Sequence, residues 1–103
     1  MSRNIDAATL PGADLVEQGL ADLAGGRVSD CSLLVLIAAP RLKALGIHVP
    51  AVVRSGPHEH ELYSRLEERL GTDAHAYYNS LIRRIVSYAH ALERERSRGD
   101  LRF

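Results

Sequence analysis

His75, Asn79 and Arg83 stand four residues apart in "AHAYYNSLIRR". On a helix, positions i, i+4 and i+8 fall on one stripe, so the three side chains line up along one side. Their chemistry is that of an anion site. A guanidinium forks onto a carboxylate or phosphate, an imidazole titrates near neutral pH, and an amide both donates and accepts. Tyr78 and Arg84 lie beside the stripe, and Ser87 and His90 stand farther along it. His75, Tyr78, Asn79 and Arg83 are therefore the candidate ligand-binding set. The plainer alternative is that they form the solvated face of an amphipathic helix.

A second group of polar side chains is packed more densely. "GPHEHELY" places His58, Glu59, His60 and Glu61 in succession. An extended segment would bring both imidazoles to one face, where a metal could sit. A helix opened by Pro57 sends them about 200° apart around the axis and prevents shared ligation. The zinc-protease pattern needs His at i and i+4, but Leu62 follows His58 by four and Ser64 follows His60 by four. The glutamates also suit a helix start, where acidic groups oppose the macrodipole. The segment is expected to be a helix start, with no metal.

Nucleophilic chemistry has less support. Cys31 is the only cysteine and follows Asp30 directly; a neighbouring carboxylate raises a thiol pKa and disfavours the reactive thiolate. "AGGR" lacks the Lys-Ser/Thr of a phosphate-binding loop, no GxSxG elbow occurs, and Glu67-Glu68 are adjacent on a helix and splay apart. No catalytic residue and no cofactor is expected.

Composition narrows the classes further. The 103 residues carry 13 basic and 13 acidic groups, for a formal net charge of zero, with 46% hydrophobic and 25% charged residues. That is the balance of one globular domain. It lacks the basic excess with which proteins bind phosphate backbones. Lys43 is the only lysine, the other basic residues being arginine. Arginine in place of lysine, with abundant Ala, Leu and Gly, fits a GC-rich bacterial gene. A lone cysteine fits a reducing cytoplasm. "MSRNIDAATLPGADL" has no signal-peptide core, and the longest apolar run, Leu33 to Ala39, is well short of the ~18 residues of a membrane span. A cytoplasmic location is expected, with no membrane contact.

These side chains need elements to position them. Residues 1–10 form an irregular lead-in. "ADLVEQGLADLAGG" places Leu15, Val16, Leu20 and Leu23 on one side with Glu17, Gln18 and Asp22 opposite, which predicts a helix stopped by Gly25-Gly26. Gly19 is either its weak point or a place of close approach. Ser29 or Asp30 caps the next helix, and Leu33 to Ile37 is apolar all round, hence buried. A central strand is the competing assignment, but the cap and the alanines favour helix. Pro40 is expected to close that helix and begin a short one, "PRLKALG". "IHVPAVVRSG" reads as extended. Pairing Leu33–Ile37 with Ile47–Val53 as a βαβ unit fails, because the crossover would be far too short.

After Pro57, Leu62, Leu66 and Leu70 form the seam of the next helix, widened by Tyr63 and ended by Gly71. Thr72-Asp73 caps a last helix running from about Ala74 to about Arg96. Its Ala74, Tyr78, Leu81, Ile85, Tyr88 and Leu92 repeat every 3.5 residues, and Tyr77, Ile82, Val86 and Ala89 broaden the face. Beyond Leu92 the run is charged, with Arg94, Arg96, Arg98 and Arg102 offset by Glu93, Glu95 and Asp100, and 97–103 is a polar tail.

The expected fold is all-α, a single domain over 1–103: a compact bundle of four to five helices with the long C-terminal helix at its centre. That helix offers more apolar face than short neighbours can cover, and a two-fold homodimer is the simplest cover. The leading functional expectation is a non-enzymatic helical interaction or regulatory protein, homodimeric and open to a protein partner. The alternative is an anionic-ligand binder or small enzyme built on His75, Tyr78, Asn79 and Arg83. Third comes a helix-turn-helix over "LLVLIAAPRLKALGI", with Arg41 and Lys43 toward nucleic acid.

Overall fold

A computed structural model describes residues 10–51 and 56–100, with side chains as far as Arg96. The expected lead-in as far as residue 9, the side chains of the polar tail 97–103 and residues 52–55 of the extended "IHVPAVVRSG" segment lie outside the described residues. Those that are described fold as an all-α chain, with no strand among them. α1 spans Ala13–Ala24, α2 Asp30–Ala44, α3 His58–Leu70 and α4 Ala74–Asp100, with a 3-10 turn, Gly71–Asp73, between α3 and α4.

α1 begins where Gly12 takes a left-handed conformation, φ 80°. Glycine alone adopts it freely. A Cβ there would also lie 2.5 Å from the carbonyl oxygen of Arg84, so the start of α1 rests directly on the α4 backbone. Val16 and Leu23 are buried, and Leu15 and Leu20 pack at the margin. Gly19 is a point of close approach: a side chain there would overlap the carbonyl oxygen of Cys31 and come within 2.5 Å of Val35 Cγ2.

Asp22 corrects the expected pattern. It belongs to the outer, polar set of α1 by sequence, yet it is buried. Gln18 Nε2 (2.9 Å), Arg27 Nε (3.2 Å) and Ser29 Oγ (2.6 Å) all donate to its carboxylate, and a fully bonded carboxylate can be buried at little cost. Ser29 is at once the N-cap of α2. Its Oγ accepts from the Ser32 N–H at 3.0 Å, and Ser32 Oγ accepts from the Ser29 N–H at 2.8 Å, which closes a capping box.

α2 brings two further corrections. It runs unbroken through Pro40, so "PRLKALG" is its last turns and no separate helix. An interior proline costs about 3 kcal/mol. Unbroken continuation keeps Leu34, Val35, Ala39 and Leu42 in one core, and that burial outweighs the cost at roughly 1.5–3 kcal/mol per large side chain. The second correction concerns the centre of the fold, which is α2 and not the C-terminal helix. α2 packs on α1, α3 and α4, and Leu33, Leu34, Val35 and Leu42 are completely buried. A helix that is apolar all round has to be surrounded.

α3 turns Leu62 and Leu66 inward, and Asp30 ties it to α2. The Asp30 carboxylate accepts from Arg65 Nε at 3.2 Å and from Arg69 Nη2 at 2.7 Å. α4 buries Ala74, Leu81, Ile85, Tyr88 and Leu92, the expected 3.5-residue seam, with Tyr78 half-buried beside it. It continues to Asp100, past the expected end near Arg96. The Glu/Arg run there is made of good helix formers, with no breaker before Gly99.

Candidate functional site

The stripe on α4 forms as a line, and the structure divides it into two environments. Asn79 Nδ2 lies 3.2 Å from His75 Nε2, one helical turn away. The Tyr63 ring of α3 lies near both His75 and Tyr78. Its centroid is 6.3 Å from His75 and 5.4 Å from Tyr78, the latter edge-on. Burial pushes the Tyr78 hydroxyl pKa upward, and Glu59 adds to the shift. His75 is open to solvent while Asn79 and Tyr78 are half-covered.

Arg83 continues the line beyond the reach of this cluster. It borders an open groove of about 330 Å³ formed with Pro11, Gly12, Ser80, Arg84 and Ser87. Ser80 and Ser87 are seven residues apart, two turns on one line, and the two arginines flank that line. Arg84 Nη2 reaches Asp14 Oδ2 of α1 at 3.3 Å, an exposed pair, whereas Arg83 makes no ion pair among the described residues. Arg84 and Ser87, noted beside and along the stripe, border this groove with Arg83, while Ser80, Pro11 and Gly12 are members that the four-residue spacing did not reveal. Their common feature is the Gly12 turn, which brings the start of α1 against α4.

His58 and His60 are the first and third residues of α3, so they leave the helix on different sides. Among the described residues no group of three or more His, Cys, Asp or Glu side chains is placed to hold a metal ion. His58 Nδ1 is buried without a hydrogen-bond partner among them. Cys31 is half-buried in the first turn of α2, and its thiol pKa is raised. Burial is the main cause, and the carboxylates of Asp22, Asp30 and Asp14 add to it. The thiol is thereby kept protonated and unreactive.

An apolar recess lies on the other side of α4. Ile37, Ala38 and Arg41 of α2 face Ile82, Ile85, Val86 and Ala89 across a groove of about 220 Å³. Val86 is 45% exposed, unusual for a valine with apolar neighbours. Arg41 closes one end by pairing with Glu93, Nη2 to Oε1 2.6 Å. Sequence periodicity marked the α4 side of this recess. The α2 side was hidden by the supposed break at Pro40, and a helix-turn-helix over residues 33–47 lacks the turn it needs.

No known family model matches this chain, and it matches no curated protein and no solved structure. No helix among the described residues is long and apolar enough to cross a membrane.

Proposed function

We propose that this chain is a non-enzymatic helical interaction or regulatory protein that works as a homodimer, using the apolar groove between α2 and α4. The observation that carries this is the groove itself, with the Val86 side chain left exposed at its lip. At about 220 Å³ it is smaller than the ~300–1,000 Å³ of typical small-molecule pockets, and aliphatic side chains suit its lining. A low, balanced net charge favours self-association over electrostatic repulsion. The single cysteine and the arginine-rich composition support a reducing, bacterial cytoplasm as its setting. Sedimentation velocity over a hundredfold concentration range tests the proposal. A dimer is expected, and a monomer at every concentration overturns it.

A second reading is favoured by the groove around Arg83. Two guanidiniums and two hydroxyls surround about 330 Å³ of open space, a donor set suited to a phosphate or carboxylate group. In that case the protein holds a small anion there through Arg83, apart from the His75, Asn79 and Tyr78 cluster. Thermal stabilisation by inorganic phosphate, abolished in Arg83→Ala, is the result expected of that reading. Equal stabilisation of both proteins by phosphate sinks it.

A further inference from the structure

α4 carries two seams. The inner one is buried in the core. The outer one, one residue later at each position, consists of His75, Asn79, Ile82, Val86, Ala89 and Glu93. Successive spacings are four, three, four, three and four, again a 3.5-residue repeat, the pattern with which helices pair along their length. The apolar members lie in the middle, where they line the α2–α4 groove: Val86 is exposed, Ile82 half-buried and Ala89 buried. The polar members lie at the ends and differ in kind: His75 and Asn79 at one, Glu93 at the other.

We propose that a second copy of this chain lies across the groove with its α4 antiparallel to the first, in a register centred on residue 84. This rests on the homodimer reading above and specifies its geometry. Two features select the arrangement. A two-fold contact is self-complementary, so if residue i meets j, then j must meet i. The outer seam has spacings that read the same in both directions, so one antiparallel register pairs all six members: His75 with Glu93, Asn79 with Ala89, and Ile82 with Val86.

Charge gives the second reason. Antiparallel copies place the imidazole of each against the carboxylate of the other at both ends of the seam. A parallel copy would set Glu93 against Glu93, and like charges facing each other disfavour pairing. Each Glu93 already accepts from Arg41 of its own chain at 2.6 Å, so the carboxylate is held at the rim where the second copy's His75 arrives. Arg83 and His90 flank the seam on the side away from α2, both exposed to solvent. Ala38 and Ala89 are small, which leaves the groove room for Ile82 or Val86 of the other copy.

The test uses the full chain in two experiments. In sedimentation equilibrium, Val86→Asp is expected to raise the dimer dissociation constant at least about 30-fold, because a carboxylate would be buried unpaired. In the second, Ile82→Cys and Val86→Cys chains are prepared separately in a Cys31→Ser background, checked for helicity by circular dichroism, mixed and oxidised. The mixed disulfide between position 82 of one copy and 86 of the other is expected to exceed both homodisulfides several-fold. A wild-type chain that is monomeric throughout overturns the homodimer reading and this geometry with it. A dimer indifferent to Val86→Asp keeps the homodimer and removes the groove as its interface. A dimer broken by Val86→Asp in which homodisulfides dominate overturns the antiparallel register alone.

Discussion

Ser29 Oγ donates a 2.6 Å hydrogen bond to Asp22 Oδ2, across the turn that joins α1 to α2. The same oxygen accepts from the Ser32 N–H, so one hydroxyl caps a helix and satisfies a buried carboxylate. Ser29→Ala removes both bonds. It should cost about 1–2 kcal/mol, the upper part of the range for a lost N-cap, read as a lower urea midpoint with an unchanged slope. Ser29→Asp would restore the cap while setting a second carboxylate against Asp22, and should not recover the wild-type midpoint.

Acid should weaken the protein through two carboxylates. The Ser29 hydroxyl holds the Asp22 carboxyl below its usual range against the opposing effect of burial, with help from Gln18 and Arg27. Burial pushes Asp30 up, but Arg69 and Arg65 together outweigh it, and the net displacement is downward. Both groups bind protons less readily folded than unfolded. Their contribution is therefore complete above the unfolded value of about 3.9 and is lost as pH falls through the lower folded values. Urea midpoints measured against pH should be level down to about 5 and fall below about 4. Asp30→Asn should lie lower at neutral pH and fall less steeply in acid.

Gly19→Ala sets two effects against each other. Alanine favours a helix over glycine by about 1 kcal/mol. A Cβ at this position meets the Cys31 carbonyl oxygen and the Val35 side chain, and overpacking of this kind costs typically 1–3 kcal/mol. Backbone cannot rotate away as a long side chain can, so the substitution should destabilise, and thermal melting should register a lower Tm. A raised Tm would mean that α1 and α2 stand farther apart than described.

Cys31 should be slow to react. With its thiol pKa raised by burial and by nearby carboxylates, iodoacetamide at pH 7.5 should alkylate the folded chain at least about tenfold more slowly than the chain in urea. Equal rates would contradict both the partial burial and the acidic surroundings.

If α2 is the centre, truncations should rank accordingly. Leu34→Ala, at a completely buried position, should cost about 2–5 kcal/mol. Leu70→Ala, at the half-buried end of α3, should cost clearly less. Chemical denaturation of the two variants side by side decides the order.

Much of this architecture was legible because it is written locally. The extent of α1, the Ser29 cap and the inner seam of α4 each depend on residues within one or two turns, and each appears where the spacing puts it. Pro40 was misleading because its local preference opposes a tertiary demand, the shared burial of Val35 and Leu42, which a short window does not contain. Asp22 was misassigned because a carboxylate belongs at the surface unless its partners are known, and one of those partners lies seven residues on, past Gly25-Gly26. The length of α4 suggested a central place, but length measures reach, and the all-round apolar character of Leu33 to Ile37 was the better guide to burial. For the candidate site, the His75–Asn79 contact followed from the four-residue spacing. The transfer of Arg83 to a different groove did not, since Pro11 and Gly12 form that groove's other wall.

The turn that joins α1 and α2 also bears on how the chain finds its shape. Only residues 25–29 separate the two helices, so bringing them together closes a short loop at small entropic cost. Asp22, Arg27, Ser29 and Ser32 bond to one another across that turn, within residues 22–32, and these bonds need nothing from α3 or α4. A hairpin with this many local bonds is expected to form early in folding, with α3 and α4 joining it later. Substitutions at Gly19, Asp22 or Ser29 then slow the approach to the native state, whereas those along α4 act chiefly by hastening departure from it.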